Sequence, residues 1–149
     1  MNESRDIQLD SQDGFTLIEI MIVIAIVAIL ASIAAVSYQT KIKESYLITV
    51  YHELNLFRLP YQTLIDNGEG VREFTPEGLN MPKQTQYCKF TVNPPNLGSD
   101  TSDAVVCNIQ NLPYLQNQSL SLTFTASGSW ECQVSSGISA SYLPQACRL

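Results

Sequence analysis

Glu19 is the one charged residue in a stretch that is otherwise almost wholly apolar. From Ile20 to Val36 there are 17 residues, and only Ser32 is not apolar. A carboxylate within such a run costs on the order of 2.5 kcal/mol or more in a bilayer, so it calls for a partner or a function. Four cysteines, Cys88, Cys107, Cys132 and Cys147, all follow the run. An even number in an exported domain reads as a disulfide framework, its pairing left open by spacing alone, and it needs an oxidising compartment. Zinc fits these cysteines poorly, because there is no C-x-x-C pair and the sole histidine, His52, stands far away. His52 beside Glu53 is an acid–base pair on paper only. Adjacent residues on a helix point apart, and no nucleophile in a recognisable context accompanies them. The sequence therefore supplies no catalytic constellation and implies no cofactor.

The elements that must position these residues begin with a helix. Phe15 to Val36 is 22 residues, which as a helix reaches about 33 Å and matches a hydrocarbon core of roughly 30 Å. The helical rhythm continues past the membrane. Ile42, Tyr46, Leu47, Val50, Tyr51, Leu54, Phe57 and Leu64-Ile65 recur with a 3.6-residue period among Lys, Glu, Thr and Asn. One helix of about 50 residues is expected, stopping near Asn67-Gly68. Pro60 lacks an amide donor and crowds the preceding turn, so a kink or break is expected near Phe57–Leu59.

From Asp66 to Gln86 the chain is a polar loop with a short turn around Pro76–Leu79. Strand-like runs follow at Gln86–Val92, Ala104–Ile109, Ser119–Ala126 and Ser129–Ser135. Leu120, Leu122 and Phe124 alternate with Ser and Thr, the pattern of a half-buried strand, and Ser127-Gly128 reads as a hairpin turn. The expected fold class is α+β: a long N-terminal helix whose second half packs on a four-stranded antiparallel sheet.

The formal charge is −6, and without the four acids and one base of Met1–Gly14 it is −3. Beyond the apolar run, Lys41, Lys43, Arg58, Arg72, Lys83, Lys89 and Arg148 face nine acids. Such dispersed charge is usually a solvated surface, and tight binding of a nucleic-acid backbone needs clustered bases.

The start G-F-T-L-I-E at Gly14–Glu19, followed by I-M-I-V-I-A-I-V-A-I-L and by Tyr38-Gln39, resembles the N-terminus of type IV pilins. The resemblance implies a leader at residues 1–14, a membrane and filament-core helix at 15–37 and a globular domain at 38–149. It implies cleavage after Gly14 by a prepilin peptidase and N-methylation of Phe15, whose new amine is cationic at neutral pH. Asp13 stands where the family usually carries Lys or Arg. Ala28 and Val36 replace a Gly and a Pro common in relatives, which predicts a straighter membrane half that is harder to melt. Glu19 becomes the fifth residue of the mature chain. Its carboxylate would meet the Phe15 amine of a neighbouring subunit and set register during assembly.

The C-terminal S-W-E-C and Y-L-P-Q-A-C-R, at Ser129–Cys132 and Tyr142–Arg148, is similar to the tail of type IVa pilins. There the two cysteines close the D-region, which implies Cys132 with Cys147 and leaves Cys88 with Cys107. The two similarities bracket the mature chain, and residues 60–128 match only in outline. The function implied is structural: a homo-oligomeric filament of identical or related pilins, serving adhesion, twitching motility or DNA uptake. DNA contact would be weak or indirect. The implied partners are the peptidase, the membrane and an inner-membrane assembly platform. The implied location is the inner membrane, then an extracellular pilus on a Gram-negative-type cell. A minor or competence-specialised pilin would share every feature, whereas a type II secretion pseudopilin usually lacks this tail.

Overall fold

The computed structural model describes residues 14–67 and 73–148. Apart from Gly14, the expected leader lies outside the described residues, as do Gly68, Gly70, Arg72 and Leu149. The chain divides into two compact units between Tyr38 and Gln39.

Helix α1 runs Leu17–Asn55. Between Phe15 and Leu59 the chain has neither Gly nor Pro, so nothing local interrupts it. The many Ile and Val residues are modest helix formers in water. In lipid, however, a helix is the only single-segment way to pair every backbone group. Every residue from Gly14 to Gln39 is exposed.

In the second unit the helix acquires a buried face. Leu47, Val50, Leu54, Phe57 and Tyr61 are completely buried, spaced alternately by three and four residues, which keeps them on one side of a helix. The helix breaks at Leu56-Phe57 and resumes as α2, Arg58–Asn67. The break comes slightly before Pro60 because the proline ring crowds the carbonyl four residues back, that of Leu56. The Phe57 amide turns instead to the Leu54 carbonyl (3.1 Å), and the Tyr61 amide to the Phe57 carbonyl (3.0 Å). Pro60 itself falls in the first turn of α2, where a missing N–H costs nothing.

The sheet is an antiparallel meander of β1 (Cys88–Val92), β2 (Thr101–Ile109), β3 (Ser119–Phe124) and β4 (Trp130–Val134), in that spatial order. The α+β expectation is met. The registers put Phe90, Val92, Val105, Cys107, Leu120, Leu122, Phe124, Trp130 and Cys132 on one face. Helix side chains pack on this face: the Phe57 and Phe90 rings lie 4.6 Å apart, and Tyr61 reaches Phe124 at 5.9 Å and Trp130 at 5.3 Å.

Two strand expectations need correcting. β2 starts at Thr101 rather than Ala104, because a bulge between Thr101 and Val105 lets the strand continue through Asp103, at φ +55°. β3 is buried on both faces, Ser121 and Thr123 included. It is an inner strand, paired with β2 on one side and β4 on the other. The hairpin loop between β3 and β4 spans Ala126–Gly128, with Gly128 at φ +81° and its amide bonded to the Thr125 carbonyl at 2.9 Å. That is a type I turn followed by a left-handed residue, for which glycine is preferred.

The turn expected around Pro76–Leu79 is present and ends in paired backbone bonds. Met81 donates to Pro76 (2.8 Å) and Asn80 to Glu77 (3.0 Å), with Asn80 left-handed at φ +57°, which is a Schellman stop. Gly78 is packed so closely within it that a Cβ would overlap the Glu73 carbonyl oxygen. Since backbone cannot step aside as a flexible side chain can, Gly78→Ala should destabilise the globular unit by about 1–3 kcal/mol. Urea unfolding followed by Trp130 fluorescence checks this, and an unchanged midpoint would refute it.

Candidate functional site

Gly14 and Phe15 precede α1 in non-helical backbone, and Phe15 is 85% exposed. A Cβ on Gly14 would meet no described atom within 4 Å. The fold therefore makes no steric demand for glycine here, and any demand comes from a molecule that approaches this bond.

The start of the helix is closed by a reciprocal pair. The Glu19 amide donates to Thr16 Oγ1 (3.3 Å), while Glu19 Oε2 accepts from the Thr16 amide (2.8 Å) and the Thr16 hydroxyl (2.8 Å). This is a capping box, which satisfies two backbone donors that a helix start leaves free. Its sequence signature, T-x-x-E before an apolar run, stands in Thr16–Glu19. The reading of Glu19 as a lone charge missed it. Glu19 thus has a role within its own chain, in addition to any role between chains.

The cysteines are joined as Cys88–Cys107 and Cys132–Cys147, with Cα atoms 5.1 Å and 4.8 Å apart. The first bond runs diagonally between β1 and β2 on the helix-facing side. The second ties β4 to the short 3-10 turn Gln145–Cys147. A crosslink closing a loop of this size contributes about 3 kcal/mol in the chain-entropy view.

Beside this loop the charges are already engaged. Glu44 accepts from Lys41 Nζ at 2.8 Å through Oε2, and its Oε1 lies 3.6 Å from Arg148 Nη2. Lys43 sits over the rings of Tyr114 (5.5 Å) and Tyr142 (5.2 Å). Arg58 lies over Tyr51 and Trp130, and Lys83 pairs loosely with Glu77 at 3.9 Å. Lys83 and Lys89 belong to the β1 edge, while Arg148 follows the cysteine tied to β4 at the opposite edge. The convergence of Lys83, Lys89 and Arg148 that a DNA-binding patch would need is therefore not formed. His52 is exposed, whereas Glu53 accepts a bond from the Thr85 hydroxyl at 2.6 Å, so the two do not act together. Among the described residues no group of His, Cys, Asp or Glu could hold a metal.

The hydrogen bond and charge of Lys41, with a smaller contribution from Arg148, hold the Glu44 carboxyl below its ordinary value of 4.5. A carboxylate lowered in the folded state adds stability that is present above the unfolded value and lost as pH falls through the folded one. Thermal melts of the globular unit should therefore weaken from about pH 4.5 downward, and Glu44→Gln should flatten that part of the profile. An identical profile in the variant would refute the assignment.

An exposed apolar helix, long enough to cross a membrane and capped at its start, thus leads into a disulfide-closed α+β unit. Residues 9–35 match the family model described as a prokaryotic N-terminal methylation motif, and residues 35–148 match the model for pilin of bacterial filaments. The chain belongs to the bacterial pilin family. It is 28% identical over 152 aligned positions to the type IV major fimbrial protein FimA of Dichelobacter nodosus, covering 92% of this chain and 96% of that protein. It is 32% identical over 144 positions to fimbrial protein EcpC of Eikenella corrodens, covering 92% and 91%. A probable minor fimbrial protein of Dichelobacter nodosus is 30% identical over 151 positions, covering 91% and 94%. These relatives are structural fimbrial proteins, and this chain is likewise a pilus subunit rather than an enzyme.

Proposed function

We propose that this chain is made as a membrane-anchored precursor, cut after Gly14, methylated on Phe15 and polymerised through α1 into a type IV pilus. The reading rests above all on the G-F-T-L-I-E start, which opens a helix whose first 23 residues, Leu17–Gln39, are all exposed. Such a surface is stable in lipid or against other helices and unstable in water. Polymerisation moves the helix from one to the other. Within the filament, the Glu19 carboxylate of one subunit meets the Phe15 amine of another. The prepilin peptidase reads the exposed Gly14–Phe15 bond, and an inner-membrane platform assembles the fibre.

The fibre serves attachment or twitching, and DNA uptake would proceed through other components. Among the described residues, Lys41, Lys43, Arg58, Lys83 and Arg148 each lie beside a carboxylate or an aromatic ring of the same chain, and no clustered basic patch of the kind a phosphate backbone needs is formed by Lys83, Lys89 and Arg148. A minor-subunit reading is favoured by one observation, the similarity to a probable minor fimbrial protein alongside a major one. Mass spectrometry of sheared surface fibres tests both readings. The expected result is a dominant chain that begins at Phe15 and carries one added methyl group. A trace amount of the same processed chain would assign it as a minor subunit, and a surface chain still beginning at Met1 would refute the processing.

A further inference from the structure

We propose that the disulfide-closed C-terminal segment is a clasp on the first turns of α1 within the globular unit, and that it sets the order of residues 39–46. No residue from Gln39 to Tyr46 is fully buried, and the first that is buried is Leu47. Apart from Tyr46, which packs at the edge of the core, these turns lack the fully buried apolar side chains that secure the helix from Leu47 onward. A helical stretch with few buried contacts opens locally more readily than one packed on a core, so side-chain contacts add to its order.

Those side chains reach three separate parts of the fold. Tyr46 meets Tyr87, just before β1, at 5.3 Å and Tyr114, between β2 and β3, at 6.3 Å. Lys43 lies between Tyr114 and Tyr142. Glu44 reaches Arg148. Tyr142 and Arg148 flank the buried Cys147, and both depend on the segment that the Cys132–Cys147 bond holds against β4. Arg148 is aimed further by its own Nε, which donates to the Leu143 carbonyl at 2.8 Å. Leu143 is buried, so the carbonyl that orients the guanidinium is itself fixed.

The chain of positions is therefore bond, segment, Tyr142 and Arg148, then Lys43 and Glu44. Each contact alone is weak, because exposed ion pairs and cation–π contacts contribute little singly. Their value lies in falling on two consecutive helix residues that are only half-buried. With the segment released, Tyr87 and Tyr114 still hold Tyr46, so the loss of protection should lie within 39–46 and fade before Leu47.

The test is hydrogen–deuterium exchange, read by mass spectrometry, on the full chain in detergent micelles. In Tyr142→Ala/Arg148→Ala, which keeps both disulfides, peptides within 39–46 should exchange on the order of tenfold faster. Residues 50–61 and strand β3 should exchange as before. Cys132→Ser/Cys147→Ser should show the same local acceleration or a larger one, and Lys43→Met should reproduce part of it from the helix side. Unchanged protection of 39–46 in Tyr142→Ala/Arg148→Ala would overturn the clasp. So would acceleration spread evenly over helix and sheet, since the tail would then stabilise the unit as a whole. If the serine pair fails to fold, the alanine pair still decides.

Discussion

Glu19→Gln should leave surface fibres as scarce as Glu19→Ala does. The two variants separate the cap that Glu19 forms within its own chain from the pairing proposed for it between subunits. As a cap, Glu19 accepts hydrogen bonds from Thr16, and glutamine is equally at home at that position of a capping box. Loss of a cap costs about 0.5–2 kcal/mol of helix stability, and that cost falls on alanine far more than on glutamine. In the pairing proposed with a neighbour's Phe15 amine, Glu19 would act through its charge, which both variants remove. Leaving a buried charge without its partner costs about 3–5 kcal/mol. That corresponds to roughly two to four orders of magnitude in the equilibrium for adding a subunit. Both variants should therefore accumulate in the membrane with the globular unit folded and oxidised. Either substitution also makes the apolar segment less polar, so insertion should not suffer. Co-expression with the unaltered chain should partly restore incorporation, because the variant's own amine can still meet an intact glutamate. Fibre yield by shearing, with non-reducing gels for the disulfides, reads both. Normal yield with glutamine and loss with alanine would assign Glu19 to capping alone. Normal yield with both would remove it from assembly.

That comparison shows where local sequence was informative and where it was not. The helix was legible because apolar residues repeat over many turns, and because Gly and Pro are missing until Pro60. The break was legible because proline acts on the backbone four residues back, whatever surrounds it. The capping box is equally local, since the T-x-x-E spacing of Thr16 and Glu19 carries it whatever follows. The bulge at Asp103, by contrast, was hidden. A left-handed residue within a strand looks like a loop in one dimension, and its carbonyl is met by the Asn93 side chain, ten residues back in the chain. The burial of Ser121 and Thr123 likewise depends on β2 and β4 lying to either side. Contacts such as Lys43 with Tyr142, or Glu53 with Thr85, join residues far apart in the chain. Periodicity reports which face of an element is buried, and it carries no record of what comes to cover it.

The largest single loss of folding stability should come from Tyr61→Ala. Tyr61 is among the largest side chains with no exposure at all. It is the point where α2, the loop before β1, and the β3–β4 hairpin converge, edge-on to Phe74 at 5.1 Å and to Trp130 at 5.3 Å. Its hydroxyl donates to the Asn93 carbonyl at 2.8 Å, which ties the helix to the end of β1 as well. Emptying such a site removes the apolar transfer gain and leaves a cavity, together worth about 3–5 kcal/mol for an aromatic ring. Against a typical stability of about 5–15 kcal/mol, that is a large fraction of the whole. Tyr61→Phe keeps the ring and loses the hydrogen bond, so its cost should be nearer 1 kcal/mol. Alkaline pH supplies an independent check on the same side chain. Burial pushes the Tyr61 hydroxyl up to about 12 from an ordinary 10. A group whose folded value is raised stabilises fully below the unfolded value and loses that contribution as pH rises through the folded one. Stability should therefore fall between about pH 10 and pH 12, and Tyr61→Phe should lose that slope while keeping most of its stability at neutral pH. Urea midpoints for the three proteins across that range decide the matter. Equal costs for phenylalanine and alanine would mean that the hydroxyl, and not the ring, holds the helix to the sheet.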